Sequence, residues 1–165
     1  MIADSTYDTG ELVGRPRAGA AAGVAAAALM LAVLAGLDGP NAVRAWLQDA
    51  ATVVLPASAR TPDSLVLAGS FVHITTGGLF GALYAACQQR TSTGGLFVVG
   101  GFYGFVLWLG CDLILVRLFH VGPSLLRGWS GLLGIVAFGL MLAAWASLAQ
   151  QASARLGEQR VGPLD

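Results

Sequence analysis

The sequence predicts an all-α fold: an integral membrane four-helix bundle with one amphipathic interfacial helix between its first and second spans. Three observations predict it. Four apolar blocks, at residues 18–37, 65–87, 96–119 and 129–148, are each long enough to cross a bilayer, because about 20 helical residues at 1.5 Å each cover a ~30 Å hydrocarbon core. The formal charges inside these blocks are Asp112 and Arg117 alone. The whole chain of 165 residues is 56% hydrophobic and 11% charged, where soluble domains carry roughly a quarter of charged residues.

Residues 1–17 read as a polar amino-terminal tail, with Asp4, Asp8 and Glu11 set against Arg15 and Arg17. A secretory leader would instead place a basic stub before a shorter apolar stretch and a small-x-small cleavage site. The block 18–37 is therefore expected to be a retained first span. After it, Gly39-Pro40-Asn41 breaks the helix and offers Asn41 as a cap for a new one. From there Val43, Trp46, Leu47, Ala50 and Val54 recur at the spacing of one helix face, with Arg44, Gln48, Asp49 and Thr52 on the other. This predicts an amphipathic helix over 42–54, too short to span, stopped by Pro56 and lying at the interface with Trp46 turned inward.

The second span, 65–87, and the third, 96–119, are joined by 88–95; the third and fourth, 129–148, are joined by 120–128, broken at Gly122-Pro123. Links this short make sequence neighbours antiparallel. Spans and links together form one transmembrane domain, 18–150, followed by a polar carboxy-terminal tail, 151–165. Five arginines fall on the amino-terminal side (Arg15, Arg17, Arg90, Arg155, Arg160) and three on the other (Arg44, Arg60, Arg127). The excess places both termini in the cytoplasm by the positive-inside rule.

Apolar helices in lipid associate through close packing and polar contacts, which favours small residues at their interfaces. The second span carries Gly69, His73, Gly77, Gly81 and Ala85 at every fourth position, and the third carries Gly100, Gly104, Trp108 and Asp112. Gly69, Gly77, Gly81, Gly100 and Gly104 are thus the expected helix-packing residues. His73 lies roughly 12 Å inside its span, and Asp112 at a similar depth on the returning third span. An unpaired carboxylate at that depth costs at least ~3 kcal/mol. An interhelical His73–Asp112 pair is therefore expected, with non-additive losses on mutating both. Arg117, one turn from the interface, is expected to snorkel to water, and Trp129 and Trp145 to fit the aromatic belts at either surface, with Trp46 the inward ring of the interfacial helix.

The run His73-x-x-x-Gly77-x-x-x-Gly81-x-x-Tyr84, followed by Gly100-x-x-Tyr103-Gly104-x-x-x-Trp108, resembles the YagU-like group of small bacterial membrane proteins of unknown function. The likeness extends in layout from Arg15 to Gln150 and is specific in the second and third spans. It implies a four-helix bundle of the bacterial inner membrane, and marks His73 and the glycines as features of the group. It carries no catalytic residue with it.

No metal-ligand spacing, nucleophile elbow or phosphate-binding loop is present, and a zero formal charge gives no electrostatic footprint for nucleic acid. The expected protein is no enzyme and holds no metal or cofactor. Its role is that of an accessory or structural subunit of a larger inner-membrane complex, with membrane lipids and other membrane subunits as partners. Two alternatives stand beside it. One is a small oligomeric proton- or ion-coupled transporter using Asp112, His73 and Arg117. The other is a haem- or chlorin-binding protein with His73 as the single ligand, room for a flat ring being left by Gly69 and Gly77.

Overall fold

In the computed structural model residues 9–88, 92–111, 113 and 129–160 are described, 9–15 and 153–160 as backbone only. They are all-helical: α1 (Thr9–Asp38), α2 (Pro40–Ala51), α3 (Pro62–Cys87), α4 (Thr93–Gly110) and α5 (Trp129–Arg160), with a 3-10 turn at Ala57–Ala59. Four of them, α1, α3, α4 and α5, hold stretches long and apolar enough to cross a membrane.

The helix ends differ from the sequence expectation at several points. α1 begins at Thr9, inside the segment read as a tail, and continues through Pro16; that proline has no N–H to donate to the Leu12 carbonyl, so the ladder loses one bond there. α5 likewise continues to Arg160, because Ala, Leu, Glu, Gln and Arg favour helix with or without burial. Asn41 is not the cap of α2. Pro40 occupies the first helical position, and the cap is Gly39 at φ 85 with no side-chain bond. Proline's fixed φ suits a first turn, and a left-handed residue reverses the chain immediately after α1. α2 stops at Ala51, before Pro56. The Arg60 guanidinium then gathers the loose carbonyls beyond it, donating to Leu55 O at 3.0 Å and Thr52 O at 3.1 Å. α3 starts at a capping box between Thr61 and Ser64, which satisfies two amide donors at once.

The helices run up-down-up-down, and their packing is uneven. α1 lies antiparallel against α3, α4 lies antiparallel against α5, and α1 also packs on α5. α3 and α4, neighbours in sequence, meet loosely: Tyr103 of α4 reaches across to donate to the Phe80 carbonyl of α3 at 2.8 Å. Small residues set the tight seams. A methyl on Gly23 would meet the Gly77 carbonyl, one on Gly81 the Gly19 carbonyl, and one on Gly104 the Ile135 carbonyl at 2.6 Å. The backbones are in direct contact at these places, the arrangement that gives apolar helices dispersion and Cα–H···O contacts without a hydrophobic driving force.

Two apolar clusters fill the interior. One joins Ala26, Ala27, Tyr84, Leu96, Phe138, Leu142, Ala143 and Ala146. The other joins Met30, Leu34, Trp46, Leu47 and Ile135, so α2 contributes to the core. Large apolar side chains point outward instead: Leu67, Phe71 and Val98 are 75%, 72% and 73% exposed.

A candidate site where three helices meet at His73

His73 sits on α3 between Gly69, one turn before it, and Gly77, one turn after. Each glycine draws in a different neighbour. A methyl on Gly69 would collide with the Leu47 carbonyl of α2, and one on Gly77 would lie 2.5 Å from the Ala27 methyl and 2.9 Å from the Gly23 carbonyl of α1. The imidazole between them is consequently within reach of both helices. Its Nδ1 lies 3.4 Å from the indole Nε1 of Trp46, and its Nε2 lies 3.0 Å from the Ala27 carbonyl.

These two partners assign the tautomer. An indole N–H only donates, so Nδ1 accepts and carries no proton; a carbonyl only accepts, so the proton resides on Nε2. The ring is neutral, as its half-buried place among apolar helices favours. The indole and imidazole meet edge to face, with centroids 6.2 Å apart and planes at 89°. Trp46 itself is buried and packs with Met30, Leu34 and Ile135.

The arrangement fastens α3 to α1 and α2 through one ring. Both ring nitrogens have partners, so an iron or magnesium ligated by His73 would have to displace the Trp46 indole or the Ala27 carbonyl. Among the described residues no three His, Cys, Asp or Glu side chains gather to hold a metal ion. Asp112 and Arg117 lie outside the described residues, so the His73–Asp112 pair has one described member, and that member is bonded to α1 and α2. Thr75 and Thr76 are exposed on α3. Trp129 is exposed in the first turn of α5. A methyl on Gly100 would lie 2.5 Å from the Gly139 carbonyl, and Gly104 faces α5 one turn on.

A second polar group was not singled out from the sequence. Tyr84 and Tyr103 stack at a tilt with centroids 5.2 Å apart. Tyr103 has its bond to Phe80, but the Tyr84 hydroxyl is buried without a partner. The glycines beside them in sequence, Gly81 and Gly104, face the backbones of α1 and α5 and not the two rings, so they give no signal for this pair. The inward turn of Trp46 is expected from the sequence, but its bond to His73 is not.

Comparison of the chain with protein-family models, with curated proteins and with solved structures found no match.

Proposed function

We propose that this chain is a non-catalytic, multi-pass protein of a bacterial inner (cytoplasmic) membrane, akin to the YagU-like group, with both termini in the cytoplasm, serving as an accessory or structural subunit of a larger complex. One observation carries the membrane part of the reading. The residues between helices are small (Gly19, Gly23, Ala27, Gly77, Gly81), while Leu67, Phe71, Val98 and Phe102 face outward. In water this distribution would expose far more contiguous apolar surface than a monomer carries. In lipid it is the low-energy one, because tails cover the large side chains and close backbones supply the attraction. The exposed indole of Trp129 fits a headgroup-level anchor, and α2 fits a short helix laid across the bundle at one interface, its apolar face on α1 and α3.

The accessory role is favoured over conduction by the character of the described interior. Apart from the Tyr84 hydroxyl the two core clusters are apolar, and Ser147 is the one further buried polar side chain among the described residues. An ion path through such a bundle would have to run along undescribed segments or between copies. The loosely joined α3–α4 side, rich in outward Phe and Leu, is where another membrane subunit would find the most apolar surface.

The test is extraction of the native protein in a lipid-retaining copolymer, with photo-crosslinking amino acids at Phe71 and Phe102. A stoichiometric membrane-protein adduct at these positions, absent from a crosslinker at exposed Ala45, supports the reading. Lipid adducts alone, together with Asp112-dependent proton flux in proteoliposomes, would replace it with the transporter reading.

A further inference from the structure

Beside the Gln48 amide that donates to the Pro62 carbonyl at 3.4 Å, the Arg44–Asp63 pair and the packing of Val66 on the Trp46 cluster, the seat of α2 on α3 includes two contacts of different kinds. The Leu47 carbonyl lies over Gly69, a backbone approach that no change of protonation alters. The Trp46 indole donates to Nδ1 of His73 at 3.4 Å, a bond that exists for only one form of the imidazole. When the ring takes a second proton, Nδ1 becomes a donor, and two N–H groups oppose each other where a hydrogen bond stood. The Nε2–H keeps its bond to the Ala27 carbonyl throughout, so the ring stays fixed to α1 while its other side turns repulsive toward α2.

We propose that His73 is an acid-sensitive latch: the neutral ring holds α2 against α3, and protonation at Nδ1 releases α2 by rotation about Gly39. That residue is suited to a pivot, being left-handed at φ 85 with open space around it. The ionisable groups on the elements around His73 are few. α1 has none between Arg17 and Asp38. α2 brings Arg44 and Asp49, of which Arg44 lies 3.9 Å from Asp63 at the surface start of α3. α5 has none from Trp129 to Gln151. The Cys111 thiol, just past α4, packs against the Trp46 cluster, and Asp112 after it lies outside the described residues. The latch needs this fold but not the accessory role, and either can fail without the other.

The experiment uses the full chain in lipid nanodiscs, with Cys87→Ser and Cys111→Ala and spin labels at Ala45→Cys and Leu148→Cys. Distances are read by pulsed electron resonance from about pH 8 to about pH 4, which runs from above the ordinary imidazole range to well below it. A second distance population should grow reversibly, by roughly fivefold, as the pH falls. His73→Gln offers both a donor and an acceptor without titrating and should hold one distance at every pH. Trp46→Phe removes the opposing N–H and should abolish the response even if His73→Gln fails to fold. Asp112→Asn should retain it. A wild-type distance independent of pH overturns the latch, as does an undiminished response in His73→Gln or Trp46→Phe, or a response lost in Asp112→Asn.

Discussion

Trp46 donates its indole N–H to Nδ1 of His73 across 27 positions of sequence, joining α2 to α3. Because the same ring bonds the Ala27 carbonyl through Nε2, a single side chain ties three helices together. Removing it affects each of their contacts.

His73→Ala and Trp46→Phe should each lower stability by about 1 kcal/mol, and the double variant by less than the sum, with a coupling of roughly 0.5–1.5 kcal/mol. Reversible unfolding in mixed micelles provides the four free energies of the cycle. Additive losses would mean that the two rings do not interact. A parallel cycle of His73→Ala with Asp112→Ala measures whether the carboxylate shares the imidazole.

Gly77→Val places its added atoms against Ala27 and Gly23 and should cost about 1–3 kcal/mol through overpacking of the α1–α3 seam. Gly36→Ala has nothing within 4 Å of its new methyl and should instead stabilise α1 by about 0.5–1 kcal/mol, since alanine loses less backbone entropy in a helix. The opposite signs, measured by the same unfolding assay, separate close packing from helix propensity.

Gly69→Ala should act on α2 selectively. Its methyl meets the Leu47 carbonyl, so α2 must lift while α1, α4 and α5 keep their seams. Hydrogen exchange should rise in residues 40–51 by at least about tenfold, the equivalent of ~1.4 kcal/mol, and stay unchanged in residues 135–146. Uniform loss of protection would show that α2 is not a separable layer.

The two tyrosines of the α3–α4 side should respond in opposite directions. Tyr84→Phe deletes a hydroxyl that is buried without a partner in a residue 3% exposed, and should be neutral or stabilising by about 1 kcal/mol. Tyr103→Phe deletes a bond to the Phe80 carbonyl at 2.8 Å and should cost about 0.5–1.5 kcal/mol. A loss of similar size in both would mean that the Tyr84 hydroxyl has an acceptor in the bilayer.

The helical class and the four apolar blocks were legible because hydropathy is local: each block declares itself within its own 20 or so residues. Helix ends were less so. Asn41 has the chemistry of a cap, but Pro40 and the left-handed Gly39 settle the start of α2 by backbone geometry. Polar residues beyond Arg15 and Gln150 stay helical because a helix does not need burial on every turn. The stripe from Gly69 to Ala85 can be read as a spacing, but not the identity of its neighbours. Gly69 meets α2 while Gly77 and Gly81 meet α1, a division fixed by how α2 folds back, which no period within α3 encodes. The choice of Trp46 as the partner of His73 was hidden for the same reason. Depth along a helix follows from counting residues, whereas rotation about it depends on contacts made elsewhere in the chain.

The uneven seams also bear on how the chain is made. α1 with α3 and α4 with α5 are each a closely fitted antiparallel couple, joined where Gly134 receives Met30 and Leu34 and through the cluster that holds Ala26, Ala27, Leu142 and Ala143. The glycine seam between α1 and α3 lies wholly within the first couple and can close before the second leaves the ribosome. A gene cut in the 88–92 link should therefore yield two halves that insert separately and recombine in the bilayer, with the union of first and last helices as the final act of assembly.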